Sequence, residues 1–205
     1  MAIEGSIIVN LAAGNNSVGL PDAGLTIVGL LHQGPYISIP IDTSRNAIFP
    51  TMNTSNTATS LFRKVSFKVN GNALNVYSPV AALAVFYYGT PLPNSKKLED
   101  FAGVVTPIAL NAATSGSGTI NLPGGKMAIT GLTATYSSTE GYVQVSFNTG
   151  TGQQFNAFVV SNDVTDFNDI IPLQLTAAQS FTVAITSGAA VTDTVYVYVF
   201  YKYVA

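Results

Sequence analysis

Apolar and polar residues alternate along most of this chain, and a period of two is the pattern of strands with one covered face. In segment 64–69 the apolar side chains Val65, Phe67 and Val69 alternate with polar ones. Helical spacing is found only in the short segment 94–101. The sequence is therefore predicted to fold as an all-β, antiparallel sandwich.

Turn signals follow one another at short intervals and predict about ten to twelve strands. The strongest signal is Asn70-Gly71, because this pair readily adopts the two positive φ angles of a type I′ turn. Loops are predicted for the stretches rich in Ser, Thr and Asn: 51–60, 111–118 and 161–169. Hairpins are predicted for three pairs of segments: 64–69 with 73–77, 142–148 with 153–160, and 180–186 with 192–204.

Charge is scarce in this sequence and cysteine is absent. Eighteen of the 205 residues are charged, whereas an average soluble domain of this length has about 51. The lack of cysteine excludes disulfides, thiolate metal ligands and thiol nucleophiles. A net charge of −2 with only eight basic residues argues against specific nucleic-acid binding. No catalytic motif is found, so neither a cofactor nor catalytic activity is expected.

Two places hold residues that often carry chemistry. His32 has no nucleophile motif beside it, so it is interpreted as a strand-end histidine hydrogen-bonded in a turn. Asp163, Asp166 and Asp169 form the one acidic cluster of the sequence. Carboxylates in a loop are ligands for calcium, but the spacing is not that of an EF-hand. A solvated loop is the prediction here, and a metal site at these three residues is the alternative.

Basic residues are grouped around two predicted elements. Arg63, Lys64 and Lys68 precede the Asn70-Gly71 turn, and Lys96-Lys97 lies in the predicted helix. Such a group can meet a phosphate surface, whether a genome or lipid headgroups. An ordinary solvated strand face is predicted instead, because the total charge is low.

The last predicted strand is apolar or aromatic on both sides. Val195, Val197 and Val199 line one side, and aromatic residues line the other. An antiparallel strand with one wet face alternates apolar with polar residues, so this strand needs cover on both sides. Because tyrosine is favoured at interfaces, a neighbouring subunit is one expected cover. The candidate subunit-interface residues are Tyr196, Tyr198, Phe200, Tyr87, Tyr88, Ile7 and Val9.

The segment Ile7-Ile8-Val9 is interpreted as an unpaired strand in a short N-terminal extension, able to add to the edge of a neighbour. Deletion of residues 1–10 is then expected to leave the fold intact but to weaken assembly. Two short stretches recur in the sequence: Val85–Tyr88 is similar to Val199–Tyr203, and Val65–Phe67 is similar to Val145–Phe147. Neither match extends, so these are interpreted as shared strand chemistry.

Low charge, Asn/Gly turns, long Ser/Thr/Asn loops and the terminal aromatic strand at Val195–Tyr203 together resemble the single jelly-roll capsid and virion surface proteins of tailless icosahedral viruses of bacteria and archaea. The resemblance implies a jelly-roll-like sandwich over residues 1–205 as a single domain. It also implies a non-enzymatic subunit of the virion that assembles with copies of itself and with other virion proteins. A double jelly roll of the larger capsid type is expected to need a substantially longer chain.

The alternative is a cell-surface β-sandwich protein, either a filament or fimbrial subunit or a carbohydrate-binding module. Tyr36, Tyr77 and Tyr136 are the aromatic residues that a sugar site would use. The start of the sequence does not have the pattern of a secretory signal, which favours the virion over the cell surface. Its longest apolar runs, 80–88 and 195–201, fall short of the roughly 18 residues of a membrane-spanning helix, so no transmembrane segment is expected.

Overall fold

The computed structural model describes residues 2–51, 63–135, 142–148, 154–160, 165–175 and 177–204. In these residues the secondary structure is fifteen strands and one four-residue 3-10 helix, Leu98–Phe101. The predicted all-β, antiparallel sandwich is confirmed. The chain divides into two compact units, one formed by the described residues up to Phe101 and the other by those from Ala102 onward.

The first unit is an eight-stranded jelly roll with one short additional strand. Its strands are β1 (Ala2–Leu11), β2 (Gly14–Gly19), β3 (Thr26–His32), β4 (Tyr36–Pro40), β5 (Asn46–Pro50), β6 (Arg63–Lys68), β7 (Ala73–Ser78), β8 (Ala82–Thr90) and β9 (Lys96–Lys97). One sheet has the order β1-β8-β3-β6-β9, and the other contains β5-β4-β7-β2. Successive strands among the first eight alternate between the sheets except at the β4–β5 hairpin, which is the winding of a jelly roll.

Alternation along these strands supplies a single core between the two sheets. Ile27, Leu30 and Phe86 enter it from the first sheet, and Ile37 and Phe49 from the second, all with no exposed surface. Each such side chain contributes about 1.5–3 kcal/mol of burial free energy.

A charged side chain shapes the β4–β5 turn. The Asp42 carboxylate accepts hydrogen bonds from the backbone N–H groups of Ser44 (2.9 Å) and Arg45 (2.8 Å), and it pairs with the Arg45 guanidinium at 2.6 Å. The Ser44 amide, helped by Arg45, lowers the pKa of Asp42 to about 2. Aspartate is favoured in turns because its side chain satisfies backbone N–H groups two and three residues on.

The predicted hairpin across Asn70-Gly71 is wrong. β6 pairs with β3 and β9, whereas β7 pairs with β2 and β4, so the two strands belong to different sheets. Gly71 has the positive φ (100°) that the sequence predicts, but the turn carries the chain from one sheet to the other. A turn signal specifies the local backbone and leaves open which strands pair.

The second unit has longer strands. They are β10 (Ala102–Leu122), β11 (Gly125–Thr135), β12 (Tyr142–Asn148), β13 (Gln154–Val160), β14 (Thr165–Leu175) and β15 (Gln179–Tyr203). The predicted hairpin of 142–148 with 153–160 is confirmed as β12–β13. The hairpin predicted between 180–186 and 192–204 is wrong, because β15 runs through this region without reversing.

Strand pairing in the second unit repeats that of the first. Residues 103–110 of β10 pair with 193–200 of β15, and 115–122 pair with 179–186. The first half of β10 thus lies in the order β10-β15-β11-β14, and the second half in the order β10-β15-β12-β13. With β10 and β15 each counted as two segments, this is the order of the eight strands of the first unit.

The chain therefore contains two jelly-roll windings in tandem, whereas one winding over residues 1–205 is predicted from the sequence. Two windings fit in this length because β10 and β15 each supply two segments without a loop. The similarity of Val85–Tyr88 to Val199–Tyr203 falls on equivalent strands, since each is in the last jelly-roll strand of its unit.

Glycine explains why the predicted loop 111–118 is strand. The backbone changes direction near Ala112, which has a φ of 50°. As a result, residues 115–122 of β10 pack against residues 103–110 of the same strand. A Cβ on Gly116 would come within 2.8 Å of Ile108 Cγ2, and one on Gly118 within 3.0 Å of Ile108 Cγ1. Gly and Ser in this segment therefore permit the close approach of two strand halves.

We expect Gly116→Val to lower the free energy of unfolding by about 1–3 kcal/mol, because the added methyl groups overlap Ile108 and Leu110 in a packed core. Urea denaturation followed by circular dichroism measures the change. The matched control is Ser117→Val, since Ser117 is exposed and valine favours strands. Equal stability of the two variants would contradict the close approach.

Candidate subunit interface

The solvent-facing side of the β1-β8-β3-β6 sheet carries a group of apolar residues. Across the sheet, Ile8 lies opposite Val85, which lies opposite Leu31. Ile8 is 69% exposed. We call the following five residues, which share this face by their register, the outer apolar face: Ile8, Leu31, Leu83, Val85 and Tyr87.

β1 belongs to the jelly roll and is not an extension, so the predicted N-terminal arm is wrong. The whole of β1, residues 2–11, pairs with β8. Ile7 and Val9, both predicted interface residues, are partly buried and pack against the core. Ile8 between them points to the outside. The apolar run Ile7-Ile8-Val9 has no polar residue to indicate which side is covered, so the sequence does not show that Ile7 and Val9 are the residues that face the core.

Tyr87 and Tyr88 lie on opposite faces of β8. Tyr87 is opposite Ser6 and belongs to the outer apolar face. Tyr88 is opposite Gly5, packs against the core, and its ring occupies the space that a side chain on Gly5 would need. Of this predicted pair, the structure therefore leaves only Tyr87 on a face that a second subunit can reach.

The last strand is covered to different degrees along its length. Val195, Val197 and Val199 have no exposed surface. On the other side Tyr198 is also fully buried, so it offers nothing to a partner in this structure, and Tyr196 and Phe200 are half-buried. The expectation that both sides need cover agrees with these exposures, and at Tyr198 the chain itself provides the cover.

His32 ends β3 and is 1% exposed. Its Nδ1–H donates to the carbonyl oxygen of Gln33 at 3.0 Å, as the interpretation of a strand-end histidine in a turn requires. Burial lowers the pKa of His32 to about 4, against hydrogen bonds to the backbone of Gln33 and Phe49 that raise it. The imidazole is therefore neutral at pH 7 and has a structural role in the first unit.

The structure brings no metal ligands together in the part of the chain that it describes. Asp163 lies outside the described residues. The backbone of Asp166 and Asp169 belongs to β14, with Asp166 opposite Gly131 of β11. Residues 165–169, predicted as part of a loop, are strand.

Across the same described ranges, no helix has both the length and the apolar character needed to cross a lipid bilayer.

No protein-family model matches the sequence, and a search of curated proteins gives no match. Among solved structures, the major capsid protein P2 from Bacteriophage PM2 is similar over 98% of each chain, with 13% identity and a TM-score of 0.40. The Cry4Aa toxin from Bacillus thuringiensis matches 90% of this chain and 43% of its own, with 8% identity and a TM-score of 0.29. The CBM22-1-CBM22-2 tandem domain from Paenibacillus barcinonensis Xyn10C matches 100% of this chain and 93% of its own, with 11% identity and a TM-score of 0.26. At TM-scores below 0.5 these likenesses do not assign a function to the chain.

The parity of β1 gives a direct prediction. We expect Ile7→Ala to lower the free energy of unfolding by about 1–3 kcal/mol, because its side chain packs against the core. Ile8→Ala, one residue along, should change it by less than about 0.5 kcal/mol. Chemical denaturation of both variants tests this. The opposite order would mean that β1 presents its other face to the core.

A second prediction concerns pH. In the unfolded chain His32 titrates near its ordinary pKa of 6.5, and in the folded chain near about 4. Between these values only the unfolded chain binds the proton, so the stability linked to this group is present above pH 6.5 and is lost as the pH falls toward 4. The loss amounts to about 3 kcal/mol.

His32→Asn, which retains a donor for the Gln33 carbonyl, should lack this part of the pH dependence. The measurement is the free energy of unfolding of both proteins at several pH values between 7 and 4. Parallel curves for the two proteins would contradict the lowered pKa.

Proposed function

We propose that this chain is a non-enzymatic structural subunit of a virion shell, which assembles with copies of itself and with other virion proteins. The observation that carries the proposal is the outer apolar face. Exposed Ile8 and Leu83, 69% and 37% exposed, lie beside Val85 and Leu31 on one sheet. Apolar surface of this kind on a soluble protein is typical of an interaction site.

A second copy of the chain is the occupant that the charges favour. Lys64, opposite Gly29, and Lys68, opposite Thr26, are the basic residues of β6 that alternation places on this side of the sheet. The face therefore has little charge with which to select a partner of opposite charge. Because the net charge is only −2, copies of the chain repel each other weakly.

β1 adds a second reason for self-association. It is the first strand in the order of its sheet, so among the described residues one of its edges has no neighbouring strand. Such an edge presents unpaired N–H and C=O groups that can pair with another strand. Ile8 lies on this strand, and the edge and the outer apolar face are therefore continuous.

The setting in a virion is supported by the resemblance of the sequence to single jelly-roll capsid proteins. That resemblance implies one jelly-roll winding, and each of the two units has this winding. A shell subunit needs rigid sheets and accessible faces, and it needs no catalytic group. A shell subunit also accounts for the scarcity of charge. Apolar surface that is buried between subunits stabilises the assembly, whereas the same surface left exposed would promote uncontrolled association.

One observation favours the cell-surface alternative in its carbohydrate-binding form. Tyr77 is 36% exposed on β7, and its ring lies 6.1 Å from that of Tyr36 at a tilt of 32°. An exposed aromatic ring can stack on a sugar. Tyr36 itself is only 7% exposed, so a single ring is presented, and Tyr136 lies outside the described residues.

The proposal predicts a closed oligomer or shell for the purified protein in light scattering and negative-stain microscopy. Ile8→Asp should weaken this assembly at least tenfold, because burying an unpaired carboxylate in an interface is costly. The matched control is Asn75→Asp, which places a carboxylate on an exposed position of β7 in the other sheet of the unit. At a protein concentration at which the unmodified chain is also dissociated, both variants should unfold at the same denaturant concentration as the unmodified chain, since assembly itself adds stability.

Three results would contradict the proposal. A monomer at all concentrations would exclude self-assembly, and binding to a panel of sugars would then support the carbohydrate alternative. Open fibres would support a filament subunit. Equal assembly of Ile8→Asp and Asn75→Asp would remove the outer apolar face from the interface.

A further inference from the structure

Five of the eight basic residues of the chain are in two neighbouring strands of the first unit. β9 runs parallel to β6, with Val65 opposite Lys96 and Ser66 opposite Lys97. This pairing brings together two basic groups that are some thirty residues apart in the sequence. The basic residues of β6 and β9 are Arg63, Lys64, Lys68, Lys96 and Lys97.

A cleft of about 470 Å³ opens at the end of this strand pair. Three cationic side chains line it, from Arg63, Lys64 and Lys96, together with the polar side chains of Asn94 and Ser95. Among the described residues that line it there is no carboxylate. The acidic residues that follow β9 are directed elsewhere: Asp100 accepts the backbone N–H of Lys97 at 2.7 Å, and Glu99 lines a neighbouring cleft.

Two of the cations are held in place by the fold. Lys96 Nζ lies 5.8 Å from the centre of the Phe101 ring, a cation–π distance. The Phe101 ring is in turn 4.8 Å from that of Phe49 in the core. Arg63 is half-buried as the first residue of β6, opposite Leu30 of β3. The cleft is therefore positioned by the core of the unit, not only by a loop.

Arg63 is a partly buried charge without a counter-ion in the described part of the chain. Burial lowers the pKa of its guanidinium, and no described carboxylate forms an ion pair with it. The stretch 52–62 that precedes it contains no Asp or Glu in the sequence. Buried charges in proteins are normally paired, so an anion from outside the chain would complete this site.

We propose that the cleft bounded by Arg63, Lys64 and Lys96 binds a phosphate group. The planar guanidinium of Arg63 can donate two hydrogen bonds to two phosphate oxygens, and the lysines act as point charges. Three cations match a doubly charged tetrahedral anion better than a singly charged carboxylate. Exposed Leu92 and Pro93 at the rim also allow the phosphate to belong to a lipid headgroup, so inorganic phosphate and an anionic headgroup are the two sources to compare.

The first experiment is calorimetric titration of the full chain with sodium phosphate at pH 7, at constant ionic strength, with sulfate-free chloride buffer as the blank. Saturable binding is expected, and Arg63→Gln and Lys96→Gln should each weaken it at least tenfold. Lys126→Gln is the matched control, because Lys126 is an exposed lysine of β11 and the change of charge is the same. Arg63→Lys keeps the charge and should also weaken binding, since it removes the guanidinium fork.

The second experiment compares sedimentation with vesicles of phosphatidylcholine alone and with vesicles containing phosphatidic acid. Binding to the phosphatidic acid vesicles that Lys96→Gln reduces and Lys126→Gln does not would support a headgroup as the source. Phosphate binding without vesicle binding would support a free phosphate.

Absence of binding in both experiments would overturn the proposal. So would equal losses in Lys96→Gln and Lys126→Gln, which would indicate general attraction of charge. Because Lys96 is exposed, its variant tests the site even if Arg63→Gln does not fold.

Discussion

Pairing of the first jelly-roll strand with the last closes each unit of this protein. In the first unit β1 lies against β8, with Ile7 opposite Phe86, and in the second the start of β10 lies against the end of β15. All other jelly-roll strands of a unit lie between these two in the chain, and the short β9 follows β8. The outer apolar face, the exposed edge of β1 and the position of the basic cleft follow from this closure, because it decides which side of each strand is left to solvent.

The alternation of apolar and polar residues predicted most strands. It is clearest where one face of a strand is covered and polar residues occupy the exposed face, as in Ala73–Ser78. It did not predict partners. The Asn70-Gly71 turn joins strands of different sheets, and the Gly- and Ser-rich segment around Gly116 is strand because Ile108 packs where a Cβ would be. Both facts depend on contacts between residues that are remote or on facing sheets, which local patterns do not contain.

The candidate interface shows the same division. Tyr87 and Ile8 lie on the outer apolar face, whereas Ile7 and Val9 pack against the core. Three consecutive apolar residues do not indicate which of them face the core. Tyr198 is covered within the chain. The basic cleft depends on the parallel pairing of β6 with the two residues of β9. The basic residues are visible in the sequence, but their proximity depends on this pairing, which the sequence pattern does not predict.

The order of strands along the chain also has a consequence for synthesis. All eight jelly-roll strands of the first unit precede residue 91, so the pairings of its jelly-roll winding can form before most of the second unit has been synthesised. Contacts between the beginning and the end of a unit are slow to form, and N-terminal units generally fold first during translation. A newly made chain can thus bury the apolar core of its first unit before the aromatic last strand, Val195 to Tyr203, leaves the ribosome and pairs within the second unit.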